Sequence, residues 1–133
     1  MARLIVLDAS VGIAALSADD THHTSAAKAL ASATDDELVL AATTRAEILV
    51  GPSTSGGRLL AAALSFVDGC ETVPITAAIA DHAAALRARH RALSLPDAIA
   101  LTVATLIEAD AIWTYDQRCT TVDPRAAIPQ ADP

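Results

Sequence analysis

Four acidic side chains stand beside strongly apolar stretches. Asp8 follows the run RLIVL, Asp116 follows AIWTY, Glu47 lies inside RAEILV, and Asp97 lies inside SLPDAIAL. Taken singly, each has a structural explanation. Asp8 suits a helix N-cap, and Glu47 an exposed pairing with Arg45 or Arg58. Asp97 suits a first helical turn, where the dipole favours negative charge, and Asp116 suits a turn. Taken together, they say more. Two unit charges ~4 Å apart repel by about 4 kcal/mol at an effective dielectric of 20, so a converging set needs protons or a cation. Mg²⁺ or Mn²⁺ answers that need, because hard cations take carboxylate oxygens and retain waters.

The acids are useful only if the elements around them bring them together. Residues 3–7 are apolar almost throughout, as in a strand buried on both faces of a parallel sheet. ELVLA (37–41), the stretch 71–75 and AIWTY (111–115) read as further strands. Helices are expected after Asp8, over 22–34 with Thr21 as N-cap, and over RAEILV capped by Thr43 or Thr44. Others are expected over 58–68, from Thr76 to about Arg91, and from Ser94 through PDAIALTVATLIEA. GPSTSGG (51–57) reads as the one clear internal loop. Strands alternating with helices imply an α/β domain with a mostly parallel sheet. In such sheets, ligands sit beyond the carboxyl ends of the strands. Asp8 and Asp116 each follow a strand and should face the same edge.

Composition sets limits on function. The chain has 133 residues, the size of one domain, and 53% hydrophobic but only 2% aromatic content. The core must be built from Ala, Leu, Ile and Val, and the Ala content favours helix. The formal charge is −7 and the pI near 4.8. That argues against a large basic nucleic-acid face and favours a basic partner. Cys70 and Cys119 stand far apart without metal-type spacing and read as free thiols of a reducing, cytoplasmic compartment. No apolar stretch is long enough for a membrane span, and MARLIVLDAS is too short an apolar start for a signal peptide. A single domain over 1–133 is expected, with 124–133 an edge segment or disordered.

The ordered set of motifs resembles the PIN-domain ribonucleases, and among them the VapC-type toxins of type II toxin–antitoxin systems. The matching segments are the strand ending in Asp8-Ala9-Ser10, Glu47-Ile48-Leu49-Val50-Gly51, Leu95-Pro96-Asp97-Ala98-Ile99-Ala100 and Trp113-Thr114-Tyr115-Asp116. They span residues 4 to 123. The family often has Asn before its last acid, where this chain has Tyr115, and a Phe shortly after, where this chain has Cys119.

The resemblance implies a PIN-like three-layer α/β/α sandwich and a Mg²⁺-dependent endoribonuclease, with Mn²⁺ as a substitute. Asp8, Glu47, Asp97 and Asp116 would be its catalytic and metal-binding acids. Ser10 and Thr114 lie two residues from Asp8 and Asp116, and Thr114 should point the same way as 116 along the strand. Thr114 is therefore counted with the catalytic set, while local backbone bonding remains the alternative for Ser10. Arg87, Arg89, His90 and Arg91 form the main basic cluster. They either complement a helix C-terminus or position phosphates, and Arg45 and Arg58 are lesser candidates. His22 and His23 read as surface helix residues.

The implied partners are an RNA substrate, a VapB-type antitoxin offering Arg or Lys to the acids, and a second copy contacting through the 21–70 region. Alternatives are a housekeeping PIN-like nuclease, an inactive RNA-binding module, or a phosphoaspartyl receiver or phosphatase. The last fits poorly, since the only lysine is Lys28 and the second position after Asp8 is Ser10.

Overall fold

The computed structural model describes residues 2–131. Its sheet has five parallel strands in the order β3-β2-β1-β4-β5. They are β1 (Leu4–Leu7), β2 (Glu37–Ala41), β3 (Glu71–Val73), β4 (Ala111–Trp113) and β5 (Ala126–Ala127). The helices are α1 (Ala9–Leu16), α2 (His23–Ser32), α3 (Ala42–Ser55), α4 (Gly57–Asp68), α5 (Ala77–Arg89), α6 (Leu95–Leu106) and α7 (Gln117–Val122).

Strand alternation divides the core in two. Ile5, Leu7, Leu40 and Trp113 point to one face, against Val11, Ala29, Ile48 and Val67 of α1 to α4. Val6, Val39, Ala41 and Ile112 point to the other, against Ile79 and Ala83 of α5, the apolar side of α6 and Cys119 of α7. The three central strands β1, β2 and β4 are therefore apolar on both faces, which is why β1 shows no polar alternation, while the edge strands β3 and β5 are partly exposed. This is the expected three-layer α/β/α sandwich, and the sheet is parallel throughout.

The chain winds outward from β1 through β2 to β3, then returns across the sheet to β4. The order reverses beside β1, where α/β sheets open a crevice at their carboxyl edge. Asp8 N–H donates to Trp113 O at 2.9 Å, closing the seam between the ends of β1 and β4.

The segment 51–57 is not a loop. α3 continues through Gly51 and Pro52 to Ser55, and the break falls at Gly56 and Gly57, with φ of +68° and +59°. Those left-handed values suit glycine. Gly56 N–H bonds Pro52 O at 2.8 Å and the Thr54 hydroxyl bonds Val50 O, so the last turn stays closed despite the proline. Thr21 does not cap α2: its N-cap is His22, without a side-chain cap. α3 begins at Ala42 directly from β2, so neither Thr43 nor Thr44 caps it, and Thr44 is buried. Cys70 and Cys119 are free thiols. Within the tail, β5 pairs with the edge of β4; residues 132–133 lie outside the described residues. Among the described residues, no helix is long and apolar enough to cross a membrane.

Candidate metal centre

Asp8 occupies the N-cap position of α1, yet its side chain makes no cap hydrogen bond. Its Oδ2 instead accepts from two hydroxyls, Thr114 Oγ1 at 2.6 Å and Ser10 Oγ at 3.0 Å. Each hydroxyl is itself fixed by a backbone N–H: Asp116 N–H donates to Thr114 Oγ1 at 2.9 Å, and Tyr115 N–H to Ser10 Oγ at 3.0 Å. Among the described residues, Oδ1 receives no hydrogen bond. Asp8 is thus a buried carboxylate, clamped on one oxygen and open on the other. Clamping of this kind sets the orientation of a metal-binding carboxylate.

Asp97 enters from α6. Ser94 is the N-cap, accepting from Asp97 N–H at 3.2 Å, and Pro96 occupies the first turn. That local chemistry starts the helix where it does and aims its first turn at the sheet edge. Carboxylate oxygens of Asp8 and Asp97 and the Cys119 sulfur lie within 4.8 Å of one another. Burial pushes the Asp97 carboxyl up, and repulsion from Asp8 and Asp116 adds to it. Burial, then Asp97, Asp8 and Asp116, pushes the Cys119 thiol up to about 12. A protonated thiol is a poor ligand for a hard cation.

Glu47 reaches the same crevice from α3. It is exposed overall, yet its carboxyl is raised by partial loss of water, then by Asp8 and Asp97. Asp116 N-caps α7, and Arg118 holds its carboxyl below the ordinary range through side-chain and backbone hydrogen bonds. Of the four acids singled out in the sequence, Asp8 and Asp97 come together within 4.8 Å. Glu47 and Asp116 are not part of that close group but lie near enough for charge to act between them and it, and Thr114 is bonded to Asp8.

Other expectations divide. Arg45 turns away to pair with Asp68 at 2.7 Å and to bond Thr72. Arg87, Arg89 and Arg91 cluster where α5 ends and the turn into α6 begins. Among the described residues they make no ion pair. His22 stacks on Tyr115 with ring centroids 4.0 Å apart and planes 7° apart, and Tyr115 Oη shares a 2.8 Å hydrogen bond with Ser25. The tyrosine before Asp116 is thereby tied to α2.

Arg118 was missed by the sequence reading. Its signal is the spacing Asp116-Gln117-Arg118, repeated at Asp123-Pro124-Arg125, which lets an arginine fold back on the acid two residues earlier.

The donor set suits a hard divalent cation. Asp8 offers an unclaimed oxygen, Asp97 and Glu47 are pushed up by burial and then by the neighbouring acids, and no lysine or arginine neutralises Asp8 or Asp97 by a direct ion pair among the described residues.

The PIN domain family profile matches residues 5–123, and the chain belongs to that family. Among solved structures it is similar to VapC20 of Mycobacterium tuberculosis, a sarcin–ricin-loop-cleaving toxin, at 20% identity and a TM-score of 0.77, over 88% of this chain and 93% of that one. A toxin–antitoxin complex from Klebsiella pneumoniae matches at 23% identity and 0.78, over 96% and 99%. VapBC2 from Rickettsia felis, bound to a DNA fragment of its promoter, matches at 14% and 0.66, over 97% and 99%. No curated protein sequence matches the chain significantly.

Proposed function

We propose that this chain is a divalent-metal-dependent endoribonuclease toxin, held in check by a cognate antitoxin. One observation carries the reading. A clamped, buried Asp8 and a helix-borne Asp97 meet within 4.8 Å at the sheet's reversal point, with Glu47 felt by both. Asp8, Asp97 and Glu47 would hold Mg²⁺ or Mn²⁺, with Asp116 assisting. Bound there, the ion supplies Lewis acidity toward a phosphoryl oxygen and lowers the pKa of water.

The chain's own residues do the rest. Thr114 and Ser10 lock the Asp8 carboxylate so that one oxygen faces the crevice. The free arginines at the α5–α6 turn lie at the end of the hairpin from which Asp97 projects, and attract an RNA backbone to an otherwise acidic molecule. In the cut, the oxygen of a water bonds to phosphorus as the bond from phosphorus to the 3′ oxygen breaks, and one proton passes net from that water to the departing 3′ oxygen, leaving a 5′ phosphate and a 3′ hydroxyl.

The antitoxin reading rests on similarity to toxin–antitoxin complexes and on a groove of about 320 Å³ lined by Ile13, Leu16, Ile48, Pro52 and Leu59, with Glu47 on its wall. An apolar segment carrying an Arg or Lys would lie in the groove and reach the acids. Exposed Val50 and Leu64 suit a homodimer contact within 21–70. A single domain and a cytoplasmic location complete the proposal.

The test is cleavage of a mixed RNA pool with Mg²⁺ or Mn²⁺ and its loss in EDTA. Cleavage that survives chelation, or an Asp8→Asn protein that still cuts, would defeat the assignment.

A further inference from the structure

Asp116 lies against the Asp97 side chain, but of the four acids it is the one with an arginine ion pair among the described residues. Arg118 forks it, with Nε 2.9 Å from Oδ1 and 3.2 Å from Oδ2, and Nη2 2.7 Å from Oδ2. The Arg118 backbone N–H adds a bond to Oδ1 at 2.9 Å. A carboxylate has about four acceptor sites, and these donors take most of them. Arg118 is also close enough for its charge to act on Asp97.

The second Asp-x-Arg pair shows what a purely structural version looks like. Arg125 forks Asp123 in the same way, but its outer nitrogens are spent on Ala104 O at 3.1 Å and Thr105 Oγ1 at 2.9 Å. Arg118 has no such second partner among the described residues. Its Nη1 group and the outer Nη2 hydrogen are free, and the side chain is 59% exposed at the rim of the crevice.

We propose that Arg118 is a phosphate-binding residue of this site and that Asp116 is its positioning residue rather than a direct metal ligand. The inference rests on the nuclease reading above. A guanidinium held on one edge by a carboxylate keeps its other edge aimed, and that free edge matches the non-bridging oxygens of an RNA phosphodiester. Asp116 thereby contributes to substrate binding without entering the cation's coordination sphere.

The test separates the two bindings. Mn²⁺ affinity is measured by electron paramagnetic resonance on RNA-free protein. Affinity for a fluorescein-labelled mixed-sequence single-stranded RNA is measured in EDTA, where nothing is cut. D116N preserves the N-cap, since Asn caps as well as Asp. D116N and R118Q are expected to leave Mn²⁺ affinity within about threefold of wild type, while D8N and D97N lose tenfold or more. In the RNA arm, R118Q and D116N should each weaken binding several-fold, the double variant no more than R118Q alone, and R118K should recover part of the loss. Each should also lower the salt slope by about 0.7, the value of one phosphate contact on a single strand. D116N weakening Mn²⁺ as much as D8N overturns the inference alone, as does R118Q binding RNA like wild type. A wild-type protein that binds neither Mn²⁺ nor RNA overturns the nuclease reading and this inference with it.

Discussion

Thr114 Oγ1 lies 2.6 Å from Asp8 Oδ2, joining residues 106 positions apart across the β1–β4 seam. The hydroxyl is fully buried and accepts from Asp116 N–H, so it has one orientation and one hydrogen to give. Thr114→Val keeps the shape and removes that bond. Losing a group that orients a metal-binding carboxylate costs about 10–100-fold in affinity or activity. Mn²⁺ titration and RNA cleavage should both fall by that factor, and Thr114→Ser should recover most of it. A Thr114→Val protein that binds Mn²⁺ normally would remove Thr114 from the site.

Crowded carboxylates make the metal-free protein less stable than it would otherwise be. Removing one charge by Asp97→Asn is expected to raise the melting temperature in EDTA by a few degrees, corresponding to about 1 kcal/mol. In wild type, Mg²⁺ at a hundred times its Kd should add about 2.7 kcal/mol of stability. At the same Mg²⁺ concentration that gain should drop to about half or less in Asp97→Asn, as a tenfold or larger loss of affinity requires. Calorimetry with and without Mg²⁺ checks both signs, and a metal response retained in full by the variant would exclude Asp97 as a ligand.

Acid stability should show two opposing trends. Arg125 holds the Asp123 carboxyl below its ordinary value of 3.8, and Arg3 does the same for Asp36. A carboxyl lowered in the folded state contributes stability that is present above 3.8 and lost as pH falls through the folded value. Asp97 and Glu47 are raised, so in metal-free protein the folded state gains relative stability as pH falls through their folded values towards the unfolded ones. Urea melts from pH 7 to pH 3 should therefore fall less steeply at the acid end in Asp123→Asn. In Asp97→Asn, they should lose the gain on the way down. Unchanged slopes in Asp123→Asn would mean the Arg125 fork adds no pH-dependent stability.

Much of this arrangement could be read from residue order. The apolar run before Asp8 is what a strand buried on both faces requires, and it ends where β1 ends; AIWTY reads two residues too long, since β4 stops at Trp113 and Thr114 is drawn to Asp8 instead. Ser94 and Pro96 announced α6 and placed Asp97 in its first turn. Other features depend on tertiary context. GPSTSGG has the composition of a loop, yet α3 holds through Ser55 by closing its last turn around Pro52. α7 is six residues long, too short for periodicity to reveal. The Arg118 fork depends on a backbone turn rather than on any residue pattern beyond Asp-x-Arg. Nor could Tyr115 be placed, because its partners His22 and Ser25 are about ninety residues away in sequence.

Gly12 sets the approach of α1 to α3. A Cβ there would fall 2.5 Å from Ile48 Cδ1, 2.9 Å from Ile48 Cγ1 and 3.3 Å from Phe66 Cε2. Ile48 is buried and directly follows Glu47. Gly12→Ala must therefore push Ile48 aside, an overpacking cost of about 1–3 kcal/mol by denaturant melts. Adding Ile48→Val, which shortens the clashing side chain, should return part of that loss. Melts of Gly12→Ala equal to wild type would show that the helices separate freely.

The arginines of the α5–α6 turn should govern how RNA is attracted. The protein carries −7 overall, so its long-range field repels RNA, and local cations must overcome it. Arg89 and Arg91 are exposed, Arg87 is half-buried, and none is consumed by an ion pair among the described residues. For single-stranded RNA, each phosphate contact contributes about −0.7 to the slope of log affinity against log salt. Replacing all three with Gln is expected to weaken binding most at low salt and to flatten the slope by up to about 2. If instead the three arginines only complement the C-terminus of α5, the variant would lose a few tenths to about 1 kcal/mol of stability. Its RNA affinity would then show the salt dependence of wild type. Fluorescence anisotropy across a salt series, beside a thermal melt of the same variant, tells the two roles apart.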